Sequence, residues 1–315
     1  MKHIAVVGTG RVGSALAYTL AFQKWVGKLS LVDIKGEVAE MTKEEIYHGL
    51  AMHGLDLEIE SFAKASEIKN PDLVVVSAGT ARVAGMSRRD LATKNAEVVK
   101  GIVEDVLMTN PSARFFVITN PVDAMATLAE QIAGKGKVIG TGTCLESVRF
   151  RTILARELNV GLAEIECYVG GEHGESCVPL WSTVKVEGVS LEEYLRLRNA
   201  EIDRSLCEEY LRNVSMRVIE ATGGTRWGPA GAFLEVIKGV LLNTGKIMAF
   251  SLSRKFEGMD VAVHVTVPGL IGMQNSVDLW DSLKEEEKEK TVKAARDIYQ
   301  TYLRVVEANA RGNKD

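Results

Sequence analysis

Gly8-Thr9-Gly10-Arg11-Val12-Gly13 limits the possible folds of this chain more than any other stretch. It follows the apolar run Ile4-Ala5-Val6-Val7 and precedes a helical stretch from Ala15 to Gln23. A second β-type run, Leu29-Ser30-Leu31-Val32, ends at Asp33, 20 residues past Gly13. Glycine-rich turns are common. One set between a strand and a helix, with an acid at that distance, is a dinucleotide-binding fingerprint. Gly8 permits the tight turn, Gly10 lets the backbone approach a pyrophosphate, and Gly13 lets the helix pack on the strand. Arg11 and Val12 lie inside the turn, where unpaired helix N–H groups face the phosphates. Asp33 accepts ribose hydroxyls and repels a 2′-phosphate, which favours NAD over NADP. Lys35, close by, offsets part of that repulsion and leaves some NADP use open.

The alternation continues. Asp72–Ala78, Phe115–Thr119 and Val138–Gly140 read as strands, with helices at about 43–52, 90–108 and 124–133. Apolar strands separated by helices predict a parallel sheet covered on both faces. Ligands bind such sheets at the strands' carboxyl ends. Gly8–Gly13, Asp33, the loop Gly79–Arg88 and Asn120 all follow strands and are expected to line one crevice. The fold class is therefore α/β: a Rossmann-type doubly wound parallel sheet over residues 1–142, then a smaller α+β catalytic domain over 143–315. That second half predicts strands at 163–170, 183–186 and 259–267, a largely helical stretch from Leu191 to Ala221, and a helix from Ala230 to Leu242. Ser282 is expected to cap a final amphipathic helix with Val292, Ala295, Tyr299, Tyr302 and Val306 on its apolar face. No internal repeat or linker separates the halves, so they should be packed together.

With 315 residues and a net charge of −4, the chain suits two lobes and advertises neither nucleic acid nor an acidic membrane surface. No apolar run is long enough to span a membrane and no signal peptide is evident, so a cytoplasmic location is expected. Cys144, Cys167, Cys177 and Cys207 show no paired spacing and are expected to be reduced. No metal site is expected. Glutamine is scarce beside Glu, Lys and Arg, a bias compatible with high temperature.

Three features carry chemistry. Gly170-Gly171-Glu172-His173-Gly174-Glu175-Ser176 sets a single histidine among glycines and acids. Alone, such a histidine is more often a turn residue. Leu145-Glu146-Ser147-Val148-Arg149-Phe150-Arg151 is helical and places Glu146 and Arg149 on one face; alone, that pair reads as a surface salt bridge. Arg82 and Arg88 lie in a loop of glycines and small residues that suits a lid; alone, it reads as a solvated loop. Arginine holds carboxylates by two parallel hydrogen bonds, so several arginines suggest a substrate with more than one carboxylate.

Together these motifs resemble the lactate/malate dehydrogenase family, in particular malate-type members of its lactate-dehydrogenase-like branch. The resemblance runs over nearly the whole chain: GTGRVGS at 8–14, VD at 32–33, SAGTAR at 77–82, GMSRRDL at 85–91, TNPVD at 119–123, LESVRFR at 145–151, GGEHGES at 170–176 and GPAGA at 228–232. It implies that His173 transfers the proton, that Glu146 pairs with it, and that Arg149 grips the α-carboxylate. It also implies that Arg88 polarises the reacting carbonyl and that Arg82 selects a second carboxylate. Asn120 and Thr225 would line the substrate pocket, and Gly79, Asn95 and Asn120 the cofactor site. The substrate would be a small dicarboxylate, L-malate or oxaloacetate, and the assembly a homotetramer or homodimer.

The sequence departs from the family pattern at Glu146, Glu175 and Glu45, which stand where aspartates are usual. Val83-Ala84 replaces Lys-Pro in the lid. Glu166 replaces the histidine that would join Arg151 at a sugar-phosphate site, so no such activation is expected. Alternatives are an L-lactate or other 2-hydroxy-acid dehydrogenase, which Arg82 disfavours, and an NAD-dependent glycosidase with a metal on Cys144 and His173, which would give the arginines no role. A non-catalytic NAD-binding protein is the third.

Overall fold

Alternating residues of the first strand feed two separate cores. In this computed structural model, residues 1–80, 88–271 and 277–312 are described, except the side chains of 88–90 and 309–312. β1 (Lys2–Val7) turns Ala5 and Val7 towards the helices α3 (Arg88–Thr109) and α4 (Val122–Ala133). It turns Ile4 and Val6 towards α1 (Arg11–Ala21) and α8 (Trp227–Leu242). Successive strand residues point to opposite faces, so a strand covered on both faces reads as an unbroken apolar run.

The other elements of the first half are β2 (Val26–Val32), α2 (Gly36–Met52), β3 (Glu58–Phe62), β4 (Leu73–Val76), β5 (Phe115–Val117) and β6 (Val138–Gly140). They form a parallel sheet in the order β3-β2-β1-β4-β5-β6. This is the dinucleotide-binding order. β3 was not anticipated from the sequence. Its Glu58 and Glu60 look polar, but both pair with Lys28 on β2 (2.7 and 2.9 Å), which suits an edge strand. Helices α1, α2 and α3 begin earlier than expected because Arg11, Gly36 and Arg88 already belong to them.

The second half contains α5 (Cys144–Glu157), β7 (Ile165–Glu166), β8 (Val169–Gly171), β9 (Cys177–Pro179), β10 (Lys185–Val186), β11 (Val189–Ser190), α6 (Leu191–Arg198) and α7 (Arg204–Thr222). After α8 come β12 (Ile247–Met248), β13 (Ser251–Arg254), β14 (Val263–Thr266), β15 (Gly269–Leu270) and α9 (Glu285–Gly312). Several expectations need correction. The strand expected at 163–170 is a 3-10 turn and two short strands. The helical stretch from Leu191 breaks where Asn199 adopts a left-handed backbone and Asp203 caps a new helix through the N–H groups of Ser205 and Leu206. Ser282 does not cap α9; it ends a 3-10 turn, and the Glu287 carboxylate accepts the Lys284 N–H at 3.0 Å instead. On α9, Val305 is buried and Val306 is 38% exposed, so the apolar face is rotated slightly from that expected.

The two halves share one sheet. β6 pairs with β13, and the order continues β13-β14-β8-β9, now antiparallel. A single row of paired residues crosses it: Val32, Val7, Val76, Val117, Gly140, Ser251, Thr266 and Gly171. Asp33, Gly8 and His173 leave the sheet just beyond this row. That places the nucleotide turn and the histidine loop along one edge.

Candidate active site

The nucleotide turn is built as its glycines require. Gly8 has φ +96°, and a Cβ there would lie 2.4 Å from the Ala78 nitrogen. A Cβ on Gly13 would lie 1.9 Å from the Gly8 carbonyl oxygen. Gly10 caps α1 without a side-chain hydrogen bond, and beyond its own chain neighbours nothing lies within 4 Å of where its Cβ would be. The open backbone and uncapped helix start fit a pyrophosphate. Val12 is half-buried and packs against the core, while Arg11 is exposed and donates from Nη1 to the Thr222 carbonyl at 3.2 Å. Asp33 stands beside the turn and accepts the N–H and hydroxyl of Thr9 on Oδ2, at 3.0 and 3.1 Å.

Gly79 leaves β4 against Thr119 and Asn95. Asn95 is only 2% exposed. Its Oδ1 accepts the Thr80 N–H and its Nδ2 donates to the Asn120 carbonyl, both at 2.7 Å. It thus ties the exits of β4 and β5 together from behind, and leaves Asn120 exposed at the crevice. Thr225 is half-buried in the connection from α7 to α8. Arg11 reaches that same connection. Arg82 lies outside the described residues, as does the side chain of Arg88, whose backbone starts α3.

His173 sits in the hairpin loop between β8 and β9. Gly171 opens this loop with φ +81° and no room for a Cβ, which would meet the Ser176 carbonyl oxygen at 2.6 Å. Three helices pin the loop. From α5, Glu146 places Oε2 3.0 Å from the His173 Nδ1. From α4, Asp123 accepts the His173 backbone N–H at 2.7 Å. From α9, Asp297 accepts the Ser176 hydroxyl at 2.9 Å. An ionised carboxylate only accepts, so Nδ1 carries the proton and Nε2 remains to exchange one. The longer side chain of Glu146 therefore reaches the ring as an aspartate would. Its other oxygen, Oε1, lies 3.4 Å from Nη1 of Arg149.

Burial penalises a charged imidazole. The adjoining Glu146 and Asp123 outweigh that penalty, and His173 is raised to about 9. Glu146 is 6% exposed at its side chain, and its affinity for protons is lowered by His173 and Arg149 despite burial. Asp123 is shifted the other way, upward, because it is buried. Glu172, next to His173, is pushed up to about 7 by burial and by Asp123 and Asp297.

Sequence reasoning did not single out Asp123 or Glu172. Asp123 had a signal, an acid in the first turn of a helix that follows Asn-Pro. Its partner is 50 residues away, so no local pattern points to it. The thiol of Cys144 donates to the Ala232 carbonyl at 3.6 Å and is pushed up to about 12 by burial. Among the described residues, no group of three or more His, Cys, Asp or Glu side chains suits a metal. All four cysteines are free thiols.

The family model for the lactate/malate dehydrogenase NAD-binding domain matches residues 2–140, and that for the alpha/beta C-terminal domain of the same family matches residues 143–306. The chain is 35% identical over 302 residues to a malate dehydrogenase of Sulfolobus acidocaldarius, covering 96% of each. It is 33% identical over 305 residues to an L-lactate dehydrogenase of Halalkalibacterium halodurans, covering 94% of this chain and 96% of that one. The apo malate dehydrogenase structure from Picrophilus torridus superposes with a TM-score of 0.87 at 28% identity, over 99% of each chain. The sheet order, the glycine turn and these matches over both halves lead to one conclusion: the chain is an oxidoreductase of the lactate/malate dehydrogenase family, with an NAD-binding first half.

Proposed function

We propose that this protein is an NAD-dependent malate dehydrogenase that interconverts L-malate and oxaloacetate. The observation that carries the proton chemistry is the His173 ring, held through Nδ1 on the buried carboxylate of Glu146, with Arg149 beside it. Bound in the crevice, NAD supplies the hydride acceptor. During malate oxidation the neutral Nε2 of His173 takes the hydroxyl proton; in the reverse direction the protonated ring returns it. Glu146 orients the ring and stabilises its cationic form. Arg149 grips the carboxylate next to the reacting carbon, Asn120 and Thr225 line the pocket, and Arg88 stabilises charge on the reacting oxygen.

Arg82 supports malate over lactate, because it would neutralise the distal carboxylate. Pyruvate would leave it unpaired and desolvated, a large penalty. Similarity to the Sulfolobus acidocaldarius enzyme points the same way. The second reading, an L-lactate dehydrogenase, is favoured by the L-lactate relatives at nearly the same identity. The domain boundary at 142/143, a homotetramer or homodimer, a cytoplasmic location and a role in the tricarboxylic acid cycle belong to the same proposal.

The test is loss of NADH absorbance with oxaloacetate and, separately, pyruvate, on wild type and Arg82→Gln. Preference for oxaloacetate, relaxed or reversed by the substitution, supports the malate assignment. Preference of the wild type for pyruvate would leave the lactate reading in its place.

A further inference from the structure

Thr9 lies between the first two glycines of the nucleotide turn, yet it does not point outward. It is 5% exposed. Its backbone N–H and its hydroxyl both donate to one oxygen of Asp33, Oδ2, at 3.0 and 3.1 Å. The other oxygen, Oδ1, accepts the Lys35 N–H at 3.1 Å. A carboxylate has about four acceptor positions. Among the described residues three are engaged, two of them by Thr9, which leaves one on Oδ1. The torsion that turns an aspartate carboxylate is soft and broad, so hydrogen bonds, rather than the side chain's own rotamer, decide where Oδ1 faces.

We infer that Thr9 is a specificity-determining positioning residue for the cofactor: it anchors Oδ2 of Asp33 so that Oδ1 and the carboxylate charge meet the adenosine ribose. This rests on the nucleotide crevice already described and goes beyond it by assigning the orientation of Asp33 to one hydroxyl. The anchored charge accepts from a free ribose hydroxyl and repels a 2′-phosphate. Without the hydroxyl, one backbone bond holds Oδ2. The carboxylate can then rotate, and both its attraction for NAD and its repulsion of NADP weaken. The backbone N–H survives any substitution except proline, so the hydroxyl's share is separable.

The experiment titrates wild type, Thr9→Ala, Thr9→Val and Thr9→Ser with NADH and with NADPH, reading nucleotide fluorescence; no turnover is needed. The wild type should bind NADH more tightly. Thr9→Ala and Thr9→Val should each narrow the NADPH-to-NADH Kd ratio by about tenfold, the scale of one hydrogen bond to a charged group. Thr9→Ser should restore the ratio. On an Asp33→Ala background, Thr9→Ala should change it by less than about twofold, since the coupling partner is gone. Thr9→Val tests the hydroxyl at constant shape if the alanine variant fails to fold. Equal weakening of both nucleotides would assign Thr9 to packing and overturn the inference. So would a valine variant that keeps the wild-type ratio, or a serine variant that does not restore it. A wild type that binds neither nucleotide would overturn the crevice itself, a failure distinct from the others.

Discussion

Replacing Glu146 by glutamine removes one negative charge from His173 and keeps the side chain's shape. The amide oxygen can still accept the Nδ1 hydrogen over the present 3.0 Å. What is lost is the charge on a group whose side chain is only 6% exposed. A buried hydrogen bond to a charged partner is worth about 1.5–3 kcal/mol, which is about 1–2 pH units at the histidine. His173 is raised to about 9, with Glu146 the leading cause of the rise and Asp123 adding to it. On the proposed mechanism, reduction of the keto acid needs the protonated ring, so its rate should hold at low pH and fall as pH rises through that value. In Glu146→Gln the fall should come about 1–2 units earlier, because the cation is less stabilised. At pH 9 the protonated fraction would drop by about 5- to 50-fold beyond any uniform loss, while at pH 6 it would barely change. The assay is kcat/KM for the keto acid that the substrate panel selects, from about pH 5.5 to 10. A basic limb that stays in place, with the same loss at every pH, would mean that Glu146 only aims the ring, and the electrostatic argument would fail.

Other expectations follow from the same network. Asp123→Asn should slow catalysis, since the His173 N–H loses its carboxylate acceptor at 2.7 Å; kcat reports the effect, and an unchanged value would remove Asp123 from the site. Glu172 is raised to about 7, so the folded state holds its proton more tightly than the unfolded chain does. Its ionisation therefore costs stability as pH rises from about 4.5 through 7. Glu172→Gln should raise the Tm at pH 8 and leave it nearly unchanged at pH 5; equal shifts at both would contradict the sign. Gly13→Ala places a Cβ 1.9 Å from the Gly8 oxygen and should abolish nucleotide binding, as fluorescence titration would show. Retained affinity would mean that the turn relaxes more easily than its packing implies.

The first half was readable in sequence because its signals are local. The glycines, the apolar strand and the acid after the second strand sit within one βαβ unit, and backbone sterics and burial act over that distance. β3 escaped notice because its alternation is masked by glutamates whose partner, Lys28, is on another strand. The second half was less legible because β7, β10, β11, β12 and β15 are only two residues long. Strands that short carry no periodicity of their own; pairing partners supply their register. The break before α7 had only Asn199 and Asp203 to announce it, and polar residues there also suit a helix surface.

The same division holds for the site. Sequence alone determined that a nucleotide turn, a histidine loop and an acid–arginine helix exist, and that the residue types suit hydride and proton transfer. Tertiary structure decided that they meet. The row of paired residues from Val32 to Gly171 brings segments more than a hundred residues apart to one edge of one sheet. There Glu146 reaches His173 despite its extra methylene, and Asp123 closes on the same loop from another helix. Thr9 turns inward to aim Asp33. Each of these contacts depends on distances set by packing, which residue identity and spacing along the chain do not encode locally.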